Sequence, residues 1–468
     1  LNRTHNSDGL EKAINKIIKW GKKNKFRGDF NVKKYKAFKE FNFWKIPGRW
    51  KINKFSIKDN TGKIIADLNS HPLVLTPFSN SYRGKLIKNE FLKKIITDKK
   101  KPNAIPFHFR KMFRHWEKGW NIALPYNKVK KLNKKFYFID INTNFENKPL
   151  LVLEYFLKGK KKDIIHMASH LDHPGQCNDS LSGVVSSLST IYNLEKKYKR
   201  TNFSYSLIFC PEIIGSAAYV NYEKNISNIK FAICSNLIGH DAPIAIAKSK
   251  VGNSKIDKAI ELAVLEKNYN YKIGSWHEYS DCGDEISYDA PGVEIPTTSI
   301  SRIGELYNDY HTSLDTPKKI KRKNFEEIVN ILFRTLEIME LNFLPKRTFI
   351  GNPSLSNPKL NLYLEPINVS NKLNKNANIG LKDLRNSKNL DPRNFQEFFL
   401  SNIEGNSDLI DLSFQSNVPF DYLYNYANSF YNKGLIKKIK NPKLFSKLQY
   451  KNISLTREHK IFKKKIKT

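Results

Sequence analysis

Cysteine is scarce and scattered in this chain. Cys177, Cys210, Cys234 and Cys282 form no C-x-x-C pair and no dense framework. That excludes a disulfide-stapled scaffold, argues against a structural zinc-thiolate site, and leads us to expect a reduced, cytoplasmic protein. Long apolar runs are missing as well. No stretch reaches the ~18 uninterrupted apolar residues of a spanning helix, and the best contender, Phe203 to Val220, is broken by Pro211 and Glu212. We therefore expect no membrane span. The first residues, Leu1 to Gly9, lack the basic-then-apolar texture of a secretory signal, while the absence of an initiating Met leaves room for a processed segment. Acidic residues are in short supply: 44 Asp and Glu stand against 81 Lys and Arg, giving a net charge of +37.

What is present suffices for folded domains. With 468 residues, 40% of them hydrophobic, the chain has room for roughly two to four domains with cores of their own. The positive charge has two readings, a polyanionic partner or a compositional bias toward solvated lysine. Its distribution favours the second. Lys99 to Lys101, Lys158 to Lys162, Lys318 to Lys323 and the last residues lie in or beside turns and tails of every part of the chain. Such a surface still raises the local concentration of an anionic substrate.

The texture changes along the chain. Residues 10–20 repeat apolar positions at helical spacing. From about Phe41 short alternating or aromatic runs are broken by turn signals such as Asp59-Asn60-Thr61-Gly62, the texture of a β-rich module. Further on, the apolar runs Ile164 to Ala168, Tyr205 to Cys210 and Phe231 to Ser235 alternate with helical stripes, Leu181, Val184, Val185, Leu188 and Ile191 in one and Phe325 to Leu341 in another. That alternation predicts a mostly parallel sheet covered on both faces, with ligands beyond the carboxyl ends of its strands. After polar stretches at Gly351 to Lys359 and Ser370 to Pro392, a helical module runs from Asn394 to about Leu448, with helices over Phe395 to Ile403, Leu409 to Phe414 and Phe420 to Asn432.

Chemistry concentrates after the apolar runs. The first run ends in His170-Leu-Asp172-His173, and Asp179 follows where the next helix starts. Neutral imidazoles and carboxylates are zinc ligands, and a second carboxylate can fix the tautomer of a ligating histidine. Any one of these residues alone reads as an ordinary loop histidine or a helix N-cap; all of them in one strand-to-helix loop point to a site. Glu212 is a carboxylate inside an apolar run, costly to bury unless paired or metal-bound, and hence a candidate general base. His311, in Tyr310-His311-Thr312-Ser313, offers a distant third ligand.

These segments resemble a known family. Ser169 to Pro174, Asn178 to Gly183, Pro211 to Ser216, Cys282-Gly-Asp284-Glu285 with Pro291-Gly292-Val293, and Tyr310 to Ser313 are similar to motifs of a bacterial family of aminopeptidase-like proteins, distantly similar to the zinc aminopeptidases and glutaminyl cyclases. Leu1-Asn-Arg3, Ser7-Asp8-Gly9, Trp44 to Pro47 and Ala104 to Pro106 extend the resemblance over nearly the whole chain. It implies an α/β fold, a zinc-aminopeptidase-like mixed, mostly parallel sheet flanked by helices (residues 1–40 and 150–345), with an inserted β-rich domain (41–149) and a connector with a C-terminal winged-helix domain (346–468). It also implies metal ligands His170, Asp179 and His311, with His173 as an additional or alternative ligand, Asp172 orienting His170, and Glu212 as the catalytic glutamate. The superfamily's pair of adjacent glutamates is here reduced to Glu212, and Asn236 stands where a ligand aspartate is expected. One zinc rather than two is therefore the expectation. Asp284 and Glu285 are left as supports behind the ligands, binders of a substrate amine, or a missing ligand.

The leading expectation is a metal-dependent amide hydrolase, most simply an aminopeptidase acting on a small peptide or amide. The alternatives are amide hydrolysis or acyl transfer on a surface-polysaccharide (amino-sugar) precursor, a scaffold without catalysis, and a nucleic-acid-binding winged-helix regulator. The last is disfavoured because Phe420 to Asn432, the would-be recognition helix, carries Asp421 and neither Lys nor Arg. A homo-oligomer is compatible with the sequence.

Overall fold

The computed structural model describes residues 1–279, 283–364 and 392–439. These form two compact units. The first holds residues 1–250 and 270–330; the second holds residues 251–269 and those described from 331 onward.

The first unit is built on an eight-stranded sheet. Its strands are β1 (Asp29–Tyr35), β2 (Leu150–Leu157), β3 (Ile164–His170), β4 (Ser204–Cys210), β5 (Ile229–Ser235), β6 (Ile244–Ala247), β7 (Tyr271–Gly274) and β8 (Thr297–Arg302), in the spatial order β1-β2-β4-β3-β5-β8-β6-β7. The central four, β4, β3, β5 and β8, are all parallel, while β1, β2 and β6 pair antiparallel with neighbours on the flanks. Every residue of β3, β4 and β8 is buried, which is why these strands read as continuous rather than alternating runs. Because the four central strands run the same way, their carboxyl ends open at one edge of the sheet.

Helix α1 (Asp8–Lys23) is capped by the Ser7 side chain, and α2 (Leu181–Lys197) follows the first motif loop. The buried face of α2 includes Val184, Leu188, Ile191 and Leu194, at i, i+4, i+7 and i+10; Val185, expected on that face, is exposed. Gly183 brings α2 against β5, for a Cβ there would stand 1.9 Å from the Ser235 carbonyl oxygen.

The β-rich part, residues 41–149, contributes a four-stranded antiparallel sheet in the order Ile64–Asp67, Arg49–Asp59, Phe136–Glu146, Tyr82–Ile87. Burial along Phe136–Glu146 largely alternates, so one face, carrying Tyr137, Ile139 and Ile141, joins Trp50, Phe55 and Ile57 in a core.

His166 is an imidazole in the middle of buried β3. Its Nδ1 lies 2.6 Å from Ser206 Oγ and its ring packs on Tyr219 and Tyr288. Burial lowers its pKa to about 3. Unfolded histidine takes up a proton near 6.5, so between those values the unfolded chain binds the extra proton, and stability falls as pH drops through that window. We expect this group to remove about 3 kcal/mol between pH 7 and pH 4. Urea unfolding at the two pH values should show the difference shrink in His166→Asn; equal losses in both proteins would refute the assignment.

In the second unit, helices Lys255–Leu265, Pro392–Asn402, Leu409–Ser416 and Phe420–Asn432 accompany a two-stranded sheet of Leu344–Arg347 and Ile436–Ile439. Phe420–Asn432 turns Phe420, Leu423, Tyr426, Ala427 and Phe430 inward, and its Asp421 pairs with Arg334. This helix is thus engaged in packing. The winged-helix expectation depends in part on residues 440–468, and the basic tail lies there too, outside the described residues, as do Ser370 to Asp391 and Cys282. Among the described residues, no helix is long and apolar enough to cross a membrane.

Candidate metal centre

The carboxyl edge of the parallel strands gathers the motif residues. β3 ends at His170 and leads to Asp172 and His173; β4 leads to Glu212, β5 to Asn236, and β8 through a longer loop to His311. Asp179 sits before α2, joined to Ser180 by a cis peptide bond. It is not a helix cap, for its carboxylate faces imidazoles instead. Oδ1 is 3.0 Å from His170 Nε2, and Oδ2 is 3.1 Å from His311 Nε2 and 3.4 Å from His173 Nε2. Although its burial favours the protonated form, His173, His170 and His311 hold Asp179 well below the usual carboxylate range. Asp315 fixes this residue from behind, accepting the backbone N–H groups of Asn178 at 2.7 Å and Asp179 at 2.9 Å.

Glu212 is presented by a strained turn. Its carbonyl accepts the N–H of Ile214 at 2.8 Å, closing a γ-turn about Ile213 at φ 61°, ψ −55°, a conformation rare for any residue and an outlier for a β-branched one. Two buried carboxylates clamp the turn. Asp172 Oδ1 accepts the Glu212 N–H at 2.9 Å, while Asp284 Oδ1 accepts the Ile213 N–H at 2.8 Å and the Ser216 hydroxyl at 2.7 Å. Gly283 lets the backbone pass the Glu212 carboxylate, for a Cβ there would lie 2.5 Å from Oε1.

The expected pairing of Asp172 with His170 is corrected by this geometry. Asp172 Oδ2 instead faces His5 Nε2 at 3.0 Å, and the carboxylate behind His170 is that of Asp284, 3.5 Å from Nδ1. His170 sits at the end of β3, and β4 with its following turn carries Asp284's partners, so Asp284 reaches the far side of the ring. Asp284 and Glu285 are both buried, and neither is open to a substrate amine; of their expected roles, support behind the site fits this burial.

The N-terminal segment was missed by sequence reasoning. Arg3 donates to the carbonyls of Leu171 at 2.9 Å and Gln176 at 2.7 Å, bracketing the His170–His173 loop, and His5 backs Asp172. Arg3, Thr4, His5, Asn6 and Ser7 are all buried. A wholly polar segment carries no periodic signal; the only sign of its role was its place among the resembling motifs. The β-rich part also reaches the site. The Phe107 N–H donates to the His311 carbonyl at 2.8 Å, Ser313 N–H to the Ile105 carbonyl at 2.9 Å, and Phe107 and Phe109 each place a ring 5.2 Å from that of His311. These contacts hold His311 at a left-handed φ of 53°.

The donor set fits a zinc ion. His170, His173 and Glu212, and likewise His173, Asp179 and His311, each bring ligand atoms within 4.8 Å of one another. Imidazole nitrogens and carboxylate oxygens are zinc's usual partners outside thiolate sites. Three imidazoles crowd one carboxylate, an arrangement that a cation at their centre would hold together. Exposure defines the mouth: the Glu212 and His311 side chains are each 22% exposed, whereas His170, His173 and Asp179 are nearly closed off. Asn236 donates to Asp179 Oδ1 at 3.3 Å and lies 3.0 Å from His170 Nε2, adding a neutral amide to the cluster.

Comparison with known proteins agrees with this architecture. The family model described as Domain of unknown function (DUF4910) matches residues 7–342. A Clostridium acetobutylicum protein, provisionally named as a polysaccharide biosynthesis protein with an aminopeptidase-like domain, is 22% identical over 398 residues, covering 85% of this chain and 86% of its own length. A crystal structure from the same organism, provisionally assigned as a peptidase, superposes with a TM-score of 0.76 at 21% identity over 93% of each chain. A zinc aminopeptidase from Bacillus subtilis superposes with a TM-score of 0.51 at 15% identity, over 71% of this chain and 90% of that one. The fold is therefore aminopeptidase-like.

Proposed function

The chain belongs to the DUF4910 family, and within that family we propose that it is a metal-dependent amide hydrolase with Glu212 as general base. The observation that carries this reading is the convergence of His170, His173, Asp179, His311 and Glu212 at the carboxyl edge of an aminopeptidase-like sheet. Zinc held there supplies Lewis-acid polarisation of the amide carbonyl and makes a water more acidic. Glu212 accepts the water proton and returns it to the leaving amine. Without a cation beside it, burial, opposed by His170 and reinforced by Asp172, Asp284 and Asp179, raises the Glu212 pKa; a zinc ion held there would favour the carboxylate, the form a general base needs. Asp172 and Asp284 fix the turn that aims it.

A single zinc is favoured because both ligand groupings use His173, whose Nε2 is the nitrogen that faces both Asp179 and Glu212. Metal analysis of the purified full chain should give one zinc per chain, and His173→Ala should weaken zinc binding at least about tenfold. A folded protein that takes up no zinc would favour the scaffold alternative instead.

The amino-sugar reading of the substrate has its own support. The Clostridium acetobutylicum relative carries a polysaccharide-biosynthesis name, and N-acyl amino sugars contain the same amide bond.

A further inference from the structure

The β-rich part displays aromatic rings that its core does not use. Strands Glu40–Phe41 and Trp44–Lys45 pair around a two-residue turn, Asn42-Phe43, with φ values of 44° and 62°. A turn with both φ positive favours Asn-Gly. Here the second position carries phenylalanine, 103% exposed. That residue strains the turn and leaves its ring in water, and beside a second exposed ring the combination points to a functional role. Trp116 is a second such ring, 55% exposed. The two line one cleft of about 290 Å³ with Trp44, Phe113 and Ile214, and Lys45 and His115 add polar groups to its wall.

The cleft connects to the metal centre through intervening residues on two sides. Ile214 belongs to the γ-turn of Glu212. Phe113 packs 5.4 Å from the ring of His5, the partner of Asp172, and 6.2 Å from that of Phe109, which in turn meets His311. Its volume lies at the small end of ligand pockets, roughly 300–1,000 Å³, and suits one ring-sized group rather than an extended peptide. An aliphatic side chain gains most from an enclosed apolar hole. Exposed flat rings flanked by an amide, an ammonium and an imidazole suit a group with an apolar C–H face and hydroxyls at its edge.

Resting on the amide-hydrolase reading, we propose that this cleft holds a sugar ring linked to the N-acyl amino sugar whose amide lies at the metal centre. In the hydrolysis, water adds to the acyl carbon, the C–N bond breaks, and the proton taken by Glu212 passes to the sugar nitrogen. The products are a carboxylic acid and a free amino sugar.

Calorimetric titration of the zinc-loaded full chain with N,N′-diacetylchitobiose and with leucinamide tests the cleft. The disaccharide should bind, and Trp116→Ala and Phe43→Ala should each weaken it about tenfold, with zinc content, melting temperature and leucinamide affinity unchanged. Phe43 is fully exposed, so its replacement spares the fold. Failure of the wild type to bind the disaccharide overturns the proposal, as do variants that bind it normally or that weaken leucinamide to the same degree. Disaccharide binding can also be measured without zinc, whereas the hydrolase reading stands or falls on zinc content, so the two failures are distinguishable.

Discussion

Glu212→Gln is expected to keep its zinc and to lose about 10²- to 10⁴-fold in amide hydrolysis, the range a positioned general base contributes. Glutamine matches the carboxylate in size and can accept hydrogen bonds from the same surroundings, but it cannot take a proton from water. The variant also separates two roles that the geometry brings close together, since Glu212 is one of the groups able to meet a metal with His170 and His173. Zinc retained with activity lost marks the base. Zinc lost along with activity would make Glu212 a ligand, and activity near the wild-type level would sink the mechanism.

Asp284→Asn should give the second largest effect. Asp284 faces His170 Nδ1 at 3.5 Å while holding the Ile213 N–H and the Ser216 hydroxyl. A carboxylate behind a ligating imidazole fixes its tautomer and raises its basicity, and losing it typically costs 10–100-fold in metal affinity. Asparagine keeps an acceptor for the turn but removes the charge behind the ring. Chelator competition should thus show zinc affinity falling about 10- to 100-fold, with the melting temperature of the metal-free protein little changed. Unchanged affinity would confine Asp284 to holding the Glu212 turn.

Much of the fold was legible because its signals are local. The buried runs of β3, β4 and β5 are continuous and apolar, and His170, Asp172, His173, Asp179 and Glu212 lie in or beside the loops that follow the first two runs. His311 was found through its motif. The short strands Ile244–Ala247 and Tyr271–Gly274 gave too few residues for a period to emerge. The partner of His170 was misassigned because sequence spacing favours the nearer carboxylate. Asp284, over a hundred residues away, arrives only through the packing of the turn after β4. His5 was invisible, and Arg3 marked only by its motif, for the opposite reason: a polar segment held by hydrogen bonds to distant carbonyls and an ion pair with a carboxylate looks like a loop.

The buried N-terminal segment also sets a timetable for biosynthesis. Arg3 reaches partners 168 and 173 residues ahead of it, and the Asn178 N–H waits for Asp315, 137 residues later still. A ribosome extending the chain at about 5–20 residues per second delivers the first residues well before anything exists for them to bracket. The centre can therefore close only after Asp315 has emerged, at the end of a succession of long-range contacts of the kind that slow folding. A nascent chain stalled short of that point would carry most of the ligands but no assembled centre.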